Sequence, residues 1–126
     1  MKERSDNIKK GGCDERAYRY IKLTNNVKCI LVSDVDSPKS AATITVDSGN
    51  LNDPVEVNGL AHFCEHMLFL GTDKYPIENY YAKVIAAGGG EKNASTSEDY
   101  TQFYFDIKNE WFPKTLDIFS EFFKTP

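Results

Sequence analysis

Gly59-Leu60-Ala61-His62-Phe63-Cys64-Glu65-His66-Met67-Leu68-Phe69-Leu70-Gly71 is the stretch on which the reading of this 126-residue chain turns. Leu60, Phe63, Met67 and Leu70 recur at helical spacing. That predicts a helix with an apolar stripe toward a core, opened by Asn58 as N-cap and stopped by Gly71. The chain's only two histidines, His62 and His66, lie on this helix. Residues four apart differ by about 40° in direction, and Glu65, three after His62, falls about 60° to the other side. The three side chains share an arc of about 100°, opposite much of the apolar stripe.

Two imidazoles one turn apart have the spacing of two ligands on a single metal ion. Zinc suits such a set, since it accepts imidazole and carboxylate and keeps an open position in catalytic centres. Glu65 is placed to take a proton from a metal-bound water rather than to bind the metal. The bland alternative is a pair of surface histidines with Glu65 as helix filler, a coincidence of roughly one in a thousand. Cys64 points away from both histidines and is expected to pack on the core side.

Upstream, Tyr20, Leu23, Val27, Cys29, Leu31 and Val35 flank Asn25-Asn26 as two strands around a turn, and residues 42–48 alternate with period two as a third strand. Downstream, a second helix is expected over 77–87, burying Tyr80, Val84 and Ile85 and ending in Gly88-Gly89-Gly90. Residues 93–97 and 100–107 read as strands. A third helix has Pro113 in its first turn, with Phe112, Leu116, Phe119 and Phe123 on one face. The order βββ-α-α-ββ-α defines an α+β domain, a mixed αβ sandwich whose antiparallel-rich sheet carries helices on one face. Residues 1–17, with nine charges in the first sixteen, are expected as a flexible charged leader, and residues 18–126 as the domain proper.

Composition narrows the partners. Fifteen basic against nineteen acidic residues give a net charge of -4, which argues against a nucleic-acid or anionic-membrane footprint. No apolar run approaches the roughly 20 residues of a membrane span. The N-terminus shows no secretory signal, and three unpatterned cysteines at 13, 29 and 64 fit a reducing, cytoplasmic setting. Gly88-Gly89-Gly90 with Lys92 lacks the ending of a phosphate loop, and Asn93-Ala94-Ser95 matches a glycosylation sequon without a secretion signal to support it.

The pattern His62-x-x-Glu65-His66 is that of the inverted zinc peptidases, and the flanks extend the likeness. Gly59 through Thr72, Lys74-Tyr75-Pro76, Glu78-Asn79, Asn93-Ala94, Thr96-Ser97 and Tyr104-Phe105-Asp106 resemble the insulysin branch of the pitrilysin/insulinase family over about residues 18–126. The resemblance implies a zinc metalloendopeptidase in which His62 and His66 are zinc ligands and Glu65 is the catalytic base. It implies further that the strand at Asn93 and Ala94 pairs with the backbone of an extended peptide substrate. Ser95 stands where that branch tends to carry a large aromatic.

The family's third zinc ligand, a glutamate roughly 75–80 residues beyond the second histidine, would fall past Pro126. The chain is therefore expected to be an N-terminal part of the catalytic domain, inactive or nearly so alone. It should bind zinc weakly and look to the remainder of a longer chain as its partner. Aromatic residues left without that remainder are expected to form an exposed apolar patch prone to self-association. Two other classes stay open: a non-catalytic chaperone or scaffold subunit of the same fold, and a binding module whose zinc site is completed by dimerisation.

Overall fold

The computed structural model describes residues 1–126. They form two compact units, Met1–Ser37 and Pro38–Pro126, a division later in the chain than the boundary at residue 17 drawn from charge. The first unit is a three-stranded antiparallel sheet in the order β1-β2-β3. β1 (Glu3–Ser5), β2 (Ala17–Lys22) and β3 (Lys28–Ser33) compose it. β2 and β3 join through the expected Asn25-Asn26 turn, with Asn26 at φ 69°, a left-handed conformation that asparagine tolerates.

The strand β1 lies within residues 1–17, the stretch expected as a flexible charged leader. Three residues are too few to show periodicity. What places them is pairing with β2 in the register Glu3↔Lys22 to Ser5↔Tyr20, reinforced by Asp6 between Arg4 at 2.7 Å and Arg19 at 2.6 Å.

The second unit holds β4 (Lys39–Val46), α1 (Leu60–Met67), α2 (Tyr80–Ala87), β5 (Glu91–Thr96), β6 (Thr101–Lys108) and α3 (Phe112–Glu121). Its sheet runs β4-β6-β5, antiparallel throughout. The central strand β6 alternates without a break. Thr101, Phe103, Phe105 and Ile107 are buried, while Tyr104 and Lys108 are exposed. One face of the sheet therefore carries the core, where Phe103, Phe105 and Ile107 meet Tyr81, Val84 and Ile85 of α2 and Ile118 and Phe119 of α3, with Phe122 just beyond. The expected α+β class, an antiparallel sheet with helices packed on one face, is what the fold shows.

Several details differ from the periodicity reading, among them the stripe Leu60, Phe63, Met67 and Leu70 of α1, which is exposed. In α3 the buried face is Thr115, Ile118, Phe119 and Glu121, and Leu116 is exposed. Phe119 is buried and Phe112 and Phe123 pack half-buried against the core as expected, so Leu116 alone departs from the expected face, and Phe122 adds to it. In α2 the buried tyrosine is Tyr81 and Tyr80 is half-buried. The helix starts at Tyr80 instead of residue 77, since Asn79 sits at φ 63°. Cys64 is exposed rather than packed on the core side. No helix is long and apolar enough to cross a membrane.

Candidate functional site

The helix α1 begins where Gly59 takes φ 87°, a left-handed conformation open chiefly to glycine. Its cap is not the expected Asn58. The carboxylate of Asp53 accepts from the Gly59 amide at 2.7 Å and from the Ala61 amide at 2.8 Å. A carboxylate on the first-turn amides satisfies donors that have no intrahelical partner and favours the helix dipole. Asp53 is held in turn by its loop, because Asn50 and Leu51 donate backbone amides to the carbonyls of Ser97 and Glu98 beyond β5. The start of α1 is thereby tied to the β5–β6 hairpin.

From this start, the fourfold spacing brings the Nε2 atoms of His62 and His66 to 3.1 Å, with ring centroids 4.7 Å apart and both side chains exposed. Two imidazole ligands of a tetrahedral zinc, each about 2.0–2.1 Å from the ion, have nitrogens roughly 3.3–3.4 Å apart. The pair needs a shift of only a few tenths of an ångström to fit. Nowhere in the chain, however, do three His, Cys, Asp or Glu side chains converge as a metal set.

Glu65 lies on the other flank of α1 and is buried, with 6% of its surface accessible. Thr96 Oγ1 donates to Glu65 Oε2 at 2.6 Å, and the same oxygen is 3.7 Å from His62 Nδ1. A buried carboxylate needs such a donor to be tolerated. Thr96 is the site residue to which the sequence reading gave no role. It stands in the quoted Thr96-Ser97 pair, but nothing local signals a contact made across 31 residues.

Asn93 and Ala94 lie on β5, which pairs with β6 on one side only and is an edge of the sheet. The Ala94 amide donates to the Asn93 side-chain oxygen at 2.9 Å. An open edge of this kind offers main-chain groups to an extended peptide. The structure thus gathers His62, His66 and Glu65 on one helix, with Glu65 joined through Thr96 to the edge strand that carries Asn93 and Ala94. Beside Glu65, a cavity of about 340 Å³ is lined by Leu60, Cys64, Leu68, Phe103 and Phe123 among others.

These features define an α+β unit presenting an inverted His-x-x-Glu-His helix against an antiparallel edge. The profile of insulinase (peptidase family M16) matches residues 28–126. The chain belongs to this insulinase family of peptidases. It is 46% identical over 121 residues to the insulin-degrading enzyme of Mus musculus, covering 96% of this chain and 12% of that protein. A Caenorhabditis elegans protein named as a zinc protease is 48% identical over 124 residues, 98% of this chain and 14% of that one. The crystal structure of pitrilysin superposes with a TM-score of 0.89 at 37% identity, over 91% of this chain and 12% of pitrilysin. The chain spans about an eighth of the length of the relatives it matches.

Proposed function

We propose that this chain supplies the zinc-binding helix and the peptide-binding edge of a zinc-dependent metalloendopeptidase acting on extended or partly unfolded peptides. The observation that carries the reading is the approach of His62 Nε2 to His66 Nε2 at 3.1 Å, beside a buried carboxylate held by Thr96. His62 and His66 would hold zinc through Nε2. When bound, zinc supplies a Lewis acid that polarises the scissile carbonyl and acidifies water.

The remaining work belongs to the chain's own groups. Glu65 takes a proton from the attacking water at a carboxylate oxygen and later delivers it to the leaving amine. Thr96 fixes the carboxylate by donating to Oε2, and burial keeps bulk water from competing for that oxygen. The edge at Asn93 and Ala94 aligns the peptide backbone, so recognition rests on main-chain groups more than on side chains.

Two imidazoles alone under-coordinate zinc, so the isolated chain is proposed to be inactive or nearly so, with a third ligand coming from the rest of a longer protein. Zinc titration of the chain beside His66→Ala tests this. Weak binding, lost in His66→Ala, is the expected result, with no peptide hydrolysis above the Glu65→Gln background. Tight stoichiometric zinc with a doubled mass would move the reading to a site completed by dimerisation. Zinc binding indifferent to His66→Ala would overturn it.

A further inference from the structure

Lys92 lies on β5, on the same face as Ala94 and Thr96, opposite Phe105 of the central strand. Its side chain is half-buried over two rings, with Nζ 4.2 Å from the Phe69 centroid and 5.8 Å from that of Tyr81. No carboxylate answers it. Lys39, Lys74 and Lys124 each meet an acid at 2.7–3.0 Å, whereas Lys92 enters no ion pair. The Tyr81 hydroxyl, buried without a hydrogen-bond partner, does not answer it either. Burial lowers the pKa of Lys92, in keeping with a cation that has given up water without gaining an anion. Aromatic faces return only part of the hydration so lost.

We infer that Lys92 selects charge along the peptide-binding edge: its ammonium takes a carboxylate of the peptide laid on β5, from an acidic side chain or from the chain terminus. The inference rests on the reading of β5 as that edge. Side chains of paired strands alternate between faces, so the carboxylate must come from every second peptide position. Lys92 and Thr96 are four residues apart, about 13 Å along the strand. Thr96 holds Glu65, so the selected group sits about four residues from the bond brought to Glu65.

The test walks one glutamate through an otherwise neutral, fluorescently labelled peptide of about ten residues. Each version is made with a free and an amidated C-terminus, and binding to the 126-residue chain is read by anisotropy. Binding about 5-fold tighter than the glutamine version is expected at one position and not at its immediate neighbours. Lys92→Met, which keeps the apolar stem over Phe69, should erase the preference, and Lys92→Glu should reverse it. A preference tied to the free terminus alone assigns the site to the peptide's end, and one that survives amidation assigns it to a side chain. Equal affinity for glutamate and glutamine at every position, or a preference kept in Lys92→Met, overturns the inference while leaving the edge intact. Failure of neutral and acidic peptides alike to bind removes the edge reading and the inference with it.

Discussion

At the scale of single residues, Glu65 and Thr96 show what chemistry demands of a buried carboxylate. Glu65 is nearly inaccessible, and one hydroxyl at 2.6 Å is its close donor from elsewhere in the fold. Deleting that donor leaves a buried acceptor unanswered, which costs about 1–3 kcal/mol. Thr96→Val is therefore expected to lower the unfolding free energy by that much, read as a lower urea midpoint at unchanged slope, while Thr96→Ser keeps most of the stability. The nearness of His62, Glu65 and His66 was legible in the sequence, because it follows from helical geometry within one turn, but not that Glu65 turns inward while both imidazoles face solvent. Thr96 was not legible as their companion, because a tertiary contact leaves no trace in local spacing.

At the scale of elements, α1 inverts what its pattern suggests. The stripe Leu60, Phe63, Met67 and Leu70, expected in the core, is exposed, Phe63 at 61%, while the acid faces inward. Periodicity tells which residues share a face and not what that face meets. The strands were read more faithfully, since β6 is covered on one side and open on the other and its alternation reports that directly. Helix caps were legible only in part. Asp53, not Asn58, caps α1, and Asp53→Ala should cost about 0.5–2 kcal/mol in chemical denaturation, with Asp53→Asn retaining most of it. The hairpin beneath the site makes a second demand. A Cβ on Gly90 would collide with the Asp106 carbonyl oxygen, so Gly90→Ala is expected to destabilise by about 1–3 kcal/mol and to blur the β5–β6 register in amide exchange.

At the scale of the molecule, each compact unit carries its own carboxylate anchors. Asp6 is held at about 2 by the Arg4 and Arg19 guanidiniums in the first unit. In the second, Lys74 and the Tyr75 hydroxyl keep Asp117 below its usual 3.8, and Lys124 lowers Glu121. Carboxylates depressed in the folded state add stability that is complete above their unfolded pKa and vanishes as pH falls through the folded one. The urea midpoint should therefore hold steady above about pH 5 and drop from about pH 4 toward 2, and Asp117→Asn should flatten part of that descent. The anchoring of Glu65 carries a further consequence, for the order in which the site is assembled. The imidazole pair needs one helical turn, whereas the Glu65–Thr96 bond closes a loop of 31 residues and the Ser40–Asn109 contact near the start of β4 spans 69. Loop-closure entropy rises with separation, and long-range pairing is the slow part of folding. On the function proposed above, the nearness of the two imidazoles thus rests on local structure, while the orientation of the carboxylate waits on the long-range fold.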